Sequence, residues 1–161
     1  MTIGLVVGLV ADISPAHAQI ELTQSRQALL ADQRLVGNVS AQAKREGVII
    51  NTPELFIYYS DFSAAYHLSG YRGTLARELD IVTESHRIER SMVGLDRLLE
   101  RAETSDGRAM QLSDLPDADL YAVIYRQVDC PTCDQVQASV EAWASDSRWS
   151  LSFITISLDG Q

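Results

Sequence analysis

The chain has 161 residues, a hydrophobic fraction of 46%, a charged fraction of 22% and a formal charge of −9. Chains of that length and apolarity can bury the core of one ordinary domain and are not composed as disordered ones. With 13 Lys and Arg against 22 Asp and Glu, a sequence-independent grip on nucleic acid is excluded, because phosphate binding needs clustered cations. No apolar run reaches the roughly 18 residues that a bilayer-spanning helix requires.

Ile3 to Ala11 is apolar apart from glycines, Ser14-Pro15 breaks helix, and Ala16-His17-Ala18 is a small-x-small site before Gln19. That is the pattern of a removable export signal over residues 1–18, although no Lys or Arg precedes the apolar stretch and Asp12 closes it. An exported, periplasmic chain lives where disulfides form and persist.

Residues 19–104 read as a helical region. From Gln19 to Glu46, Leu22, Leu29, Val36 and Ala43 recur at seven-residue spacing, with Gly47 as a stop. Val48-Ile49-Ile50 follows as a short apolar piece. Thr52-Pro53-Glu54 has the chemistry of a helix start, namely an N-cap, a proline at the first position and an acid in the first turn. Phe56-Ile57-Tyr58-Tyr59 favours strand by propensity, but Leu55, Tyr58, Tyr59, Phe62, Ala65 and Tyr66 follow the i, i+3, i+4 rule, which predicts a helix to about Leu68. Tyr58, Tyr59, Phe62 and Tyr66 then read as core packing of that helix rather than as an aromatic binding stripe. A longer helix is predicted from about Thr74 to Glu103, on the seam Ile88, Met92, Leu95, Leu99, Ala102, with Gly94 tolerated inside it. Residues 105–117, rich in Ser, Asp, Gly and Pro, read as a linker.

Past the linker the pattern changes. Leu120 to Tyr125 is a β-prone apolar run. Asp134 to Ala144 puts Val136, Val140 and Trp143 on one helical face. Trp149 to Leu158 alternates, with Leu151 and Phe153 on one side and Ile154 and Ile156 on the other. Strand, helix, strand makes residues 118–161 a βαβ unit, and the class is α/β.

The chain's two cysteines, Cys130 and Cys133, fall between the first strand and the helix of this unit. There, unpaired backbone N–H groups and the positive end of the helix dipole favour an anion, so a thiolate at Cys130 is stabilised and becomes the nucleophile. Pro131 suits the first helical position. Cys133, one turn on, is placed to resolve a mixed disulfide. Asp129 opposes thiolate formation, and Pro131 and Thr132 tune the pair in a direction that spacing does not give. No metal and no cofactor is assigned. Two other readings stay open: an inert structural disulfide, and half a zinc site completed by His67, His86 or a second chain.

Ala122-Val123-Ile124-Tyr125-Arg126, then Asp129-Cys130-Pro131-Thr132-Cys133, then Ile154-Thr155-Ile156-Ser157-Leu158-Asp159-Gly160 resembles the thioredoxin-like proteins of conjugative transfer and pilus assembly, the TraF/TrbB-like group. Thr52-Pro53-Glu54 is similar to the helical N-terminal region of that group. The resemblance implies a periplasmic thiol-disulfide oxidoreductase that assists disulfide formation or folding of conjugation or type IV secretion components. In it, Cys130 is the catalytic nucleophile and Cys133 the resolving thiol. Its partners are protein substrates bearing thiols or disulfides and components of the secretion system, with no nucleic acid and no transmembrane span in the mature chain. The alternative is a non-catalytic assembly factor of the secretion channel whose cysteine pair is structural. A thioredoxin-like fold continues past its second strand and carries a proline loop facing the dithiol. No proline follows Pro131, so the expectation is a helical N-terminal region followed by a partial βαβ fold truncated at the C-terminus, its second strand an open edge.

Overall fold

The computed structural model describes residues 18–24 and 52–158. The export signal up to residue 17, the predicted helix from residue 25 to 46, the piece 48–50 and residues 159–160 of the resemblance lie outside them. The described elements are strands β1 (Ala18–Gln24), β2 (Glu54–Tyr59) and β3 (Ala64–Ser69), helices α1 (Leu75–Glu84) and α2 (Leu95–Glu100), the two-residue strand β4 (Ala102–Glu103), a 3-10 turn at Leu112–Asp114, strand β5 (Leu120–Arg126), helix α3 (Pro131–Asp146) and strand β6 (Leu151–Ser157).

All six strands form one mixed sheet in the order β3-β2-β5-β6-β1-β4. The predicted βαβ unit is present: β5 and β6 are parallel neighbours, in register from Leu120 with Leu151 to Arg126 with Ser157, and α3 links them. The remaining strands come from the region read as helical, which is the main correction to the sequence reading.

Glu54 to Ser69 is a β-hairpin, not a helix. β2 pairs antiparallel with β3 on one side and with β5 on the other, and all six of its residues are buried. Leu55, Ile57 and Tyr59 face one core while Phe56 and Tyr58 face the other. A strand covered on both faces is apolar at nearly every position, so it satisfies a helical template by accident, and the β-propensity of Phe56-Ile57-Tyr58-Tyr59 was the better guide. Tyr58 and Tyr59 do pack in the core, but as strand residues, while Phe62, in the turn, and Tyr66, on β3, are partly buried: the Tyr58 hydroxyl donates to the Val93 carbonyl at 2.9 Å, and the Tyr59 hydroxyl lies 3.0 Å from Val82 O and 2.7 Å from Arg87 O.

β1 starts where a helix was predicted from Gln19, and it runs parallel along β6 from Ala18 with Ser152 to Thr23 with Ser157. The second strand of the βαβ unit is therefore interior to the sheet, and the predicted open edge is covered. The long helix from Thr74 to Glu103 is two short ones. α1 ends at Glu84, and Gly94 is extended, with φ −68° and ψ 146°, as the residue before α2. Ile88, a member of the predicted seam, is 41% exposed, whereas Leu95, Leu99 and Ala102 are buried.

The linker is ordered. Gly107 takes φ 81° in a turn closed by its N–H to Thr104 O, and Leu115 is buried with Met110 and Leu112 beside it. Two cores result. α1 and α3 cover one face of the sheet through Leu75, Leu79, Val136, Val140 and Trp143. α2 and the segment from Met92 to Ala118 cover the other, over Phe56, Tyr58, Tyr121, Val123 and Tyr125. Burying a Leu or Val side chain contributes about 1.5–3 kcal/mol, so these two apolar layers hold together the sheet from which the turn before α3 projects.

Candidate functional site at the start of helix α3

β5 ends at Arg126, and the exposed turn Gln127-Val128-Asp129 leads into α3. Asp129 has φ 54°, a left-handed conformation that Asp tolerates better than most residues and that turns the chain sharply into the helix. Cys130 is the N-cap, with φ −109° and ψ 89°, and its sulfur accepts the backbone N–H of Cys133 at 3.2 Å. Pro131 occupies the first helical position, as the sequence predicted. The N–H of Asp134 closes the first turn on Cys130 O at 3.1 Å.

Cys130 and Cys133 form a disulfide, with S–S 2.04 Å and Cα–Cα 5.2 Å. The two sulfurs are unequal in access: Cys130 is half-buried, while Cys133 is 0% exposed beneath it in the helix. Pro131 and Thr132 are exposed, and Val128 shows 71% of its surface beside the pair. The turn thus presents one accessible sulfur at a helix start that can stabilise a thiolate.

Charged groups are arranged around it. Arg126 donates to Asp134 Oδ1 at 2.7 Å and to Gln137 Oε1 at 2.9 Å. Gln137 passes the connection to Glu141 at 3.0 Å, and Gln19 of β1 reaches the same carboxylate at 3.1 Å. These bonds tie the helix to both strand neighbours of β6.

The other wall of the site comes from far upstream. Glu54 opposes Tyr125 in the β2–β5 register, so Thr52 and Pro53 lie at the end of β5 that carries the disulfide. Thr52 Oγ1 donates to Gln127 Oε1 at 3.2 Å, Pro53 is buried, and the peptide joining Thr52 to Pro53 is cis. Thr52-Pro53 therefore leads into a strand next to the dithiol turn and does not start a helix. The legible signal was the Thr-Pro pair immediately ahead of a β-prone run.

Beside this loop the Glu54 carboxylate, 0% exposed, is 2.5 Å from His67 Nε2 and accepts from Ser69 Oγ at 2.9 Å. His67 stacks on Phe56 and His86 stacks on Tyr59, with ring centroids 4.6 Å and 4.1 Å apart. Among the described residues no cluster of His, Cys, Asp and Glu is placed to hold a metal ion. A separate cleft of about 760 Å³ opens at edge strand β3, walled by His67, Glu78, Val82 and Met92, and contains none of the sulfur-bearing turn.

No family model matches the chain, and no curated protein or solved structure is significantly similar to it.

Proposed function

We propose that the chain is a thiol-disulfide oxidoreductase of thioredoxin-like design, with Cys130 as nucleophile and Cys133 as resolving thiol. One observation carries the reading: the half-buried Cys130 sulfur sits at the N-cap of α3 and accepts a backbone N–H, while Cys133 lies buried one turn on. In the reduced protein a Cys130 thiolate would accept that N–H and gain from the helix dipole. It attacks one sulfur of a substrate disulfide, forming a mixed disulfide and expelling the first substrate thiolate. Cys133, deprotonated, then attacks Cys130 Sγ, closing the Cys130–Cys133 bond and releasing the second thiolate. The substrate gains two electrons and the protein loses two. Read in reverse from the disulfide form, the same steps oxidise a substrate dithiol, and no bound cofactor enters either direction.

The sheet supports the thioredoxin-like reading. β5 and β6 run parallel on either side of α3 in the chain, β2 and β3 add antiparallel on the far side of β5, and the Thr52-Pro53 loop lies at the end of β5 from which the dithiol turn leaves. The strands arrive in a different chain order, with the proline loop and its hairpin ahead of the cysteines. The same resemblance supports exported substrates in an oxidising compartment, namely components of conjugation or type IV secretion machinery, and the Asp-Cys-Pro-Thr-Cys and Ile-Thr-Ile-Ser-Leu strings carry that narrower part.

Insulin reduction by the dithiothreitol-reduced protein, followed by turbidity, tests the activity. Cys130→Ser should abolish it, and Cys133→Ser should accumulate a mixed disulfide with substrate that dithiothreitol releases. An inactive parent whose Cys130 alkylates with an ordinary thiol pKa of about 8.5 would sink the reading and leave the pair as a structural disulfide.

A further inference from the structure

The Cys130 turn carries two acids. Asp129 adjoins the nucleophile, and Asp134 follows it by one helical turn, with its own N–H on the Cys130 carbonyl. Asp134 is thus an acid in the first turn of the helix that Cys130 caps, its side chain largely exposed. A carboxylate there is a like charge to any anion at Cys130 Sγ and disfavours ionisation of the thiol. The structure supplies a counter-charge. Arg126, on the last residue of β5 and 25% exposed at its side chain, is 2.7 Å from Asp134 Oδ1, and its second nitrogen is anchored on Gln137. Gln137 is itself held through Glu141 to Gln19, so the guanidinium is fixed from two strands and has little freedom to drift to solvent. The charged groups at this end of the sheet are then Asp129 from the turn, Asp134 from α3, Arg126 from β5, and Glu54 from β2, the last already engaged by His67 and Ser69.

We infer that Arg126 is a positioning residue for the dithiol: by holding the Asp134 carboxylate it cancels the like charge beside Cys130 and so permits the thiolate to form. The inference rests on the redox reading above and deepens it. It differs from a purely structural account of the Arg126–Asp134 pair in one decisive respect. If the pair only fastened α3 to β5, removing either partner would have the same effect on Cys130. If Arg126 acts by neutralising Asp134, the two removals act in opposite directions.

The experiment is the rate of iodoacetamide alkylation of Cys130 against pH in the reduced full chain, for the parent, Arg126→Gln, Arg126→Lys, Asp134→Asn and the double variant, each checked for folding by circular dichroism. Arg126→Gln should move the midpoint of the alkylation profile up by roughly half a pH unit, slowing the reaction by about threefold at pH values well below that midpoint. Arg126→Lys should retain most of the parent rate, since it keeps the charge. Asp134→Asn should alkylate at least as fast as the parent, and Asp134→Asn combined with Arg126→Gln should recover the rate lost in Arg126→Gln alone. Equal slowing by Asp134→Asn and Arg126→Gln, or an unchanged profile in Arg126→Gln, overturns the inference. An ordinary thiol profile in the parent itself instead overturns the redox reading, so the two failures are separately visible.

Discussion

Cys130 caps a helix and supplies the accessible half of the disulfide with the same sulfur atom. That coincidence is local: a left-handed residue, a cap and a proline follow one another at Asp129, Cys130 and Pro131, and together they turn a strand into a helix within four residues. Asp129 holds φ 54°, a region in which a β-branched side chain meets its own backbone. Asp129→Val should therefore lower stability by about 1–2 kcal/mol, read as a drop in the urea midpoint at unchanged slope, while Asp129→Gly should stay much closer to the parent. Equal losses in the two variants would show that the side chain, and not the backbone conformation, matters there. At this scale the sequence was legible, because cap, proline and dithiol spacing are all read from adjacent residues. His67 and His86 were not: what each one meets, a buried Glu54 and the ring of Tyr59, depends on strands that pair elsewhere.

At the scale of elements, α1 is fastened to the edge of the sheet by a polar tie. Glu78 accepts from Tyr66 of β3 at 2.5 Å and from Thr74 at 2.6 Å, with Arg72 at 3.7 Å. The Thr74 and Tyr66 hydrogen bonds hold the Glu78 carboxyl below its usual value of 4.5, and burial together with Glu78 pushes the Tyr66 hydroxyl well above its ordinary range. A carboxyl lowered in the folded state stabilises the fold above its unfolded pKa and loses that contribution as pH falls through the folded value. Thermal midpoints should therefore fall more between pH 5 and pH 3 in the parent than in Glu78→Gln, which has no such proton to take up. Parallel acid limbs in the two proteins would show that the tie adds nothing. β2 and β3 were misread at this scale for a physical reason. In β2, burial on both faces erases the period-2 alternation that marks a half-exposed strand, and in edge strand β3 only Ala65 and Leu68 are buried, three residues apart as on a helix, so only propensity distinguishes the hairpin from a helix.

For the molecule as a whole, the sheet order interleaves the two ends of the chain. β5 and β6 sit at the centre, with β2 and β3 on one side and β1 and β4 on the other. A piece ending at Gly107 contains both flanks and no centre, and the remainder contains the centre and no flanks. Residues 1–107 and 108–161, expressed separately, should each lack cooperative unfolding and should recover it when combined. A separately folded 108–161 would instead make the βαβ unit self-sufficient. The open edge expected at the second strand of the βαβ unit is corrected at this scale alone, since β1 covers β6. By itself the sequence determined the chemistry of the turn, the parallel βαβ unit and the two-sided burial of Ile154 and Phe153, all of which follow from contacts between near neighbours and from short-range period. Only the tertiary structure decided which strands flank that unit and which loop lies beside the turn after β5, because those contacts join residues far apart in the chain, Glu54 pairing with Tyr125, Gln19 with Phe153 and Thr52 bonding Gln127, and local pattern carries no record of that choice.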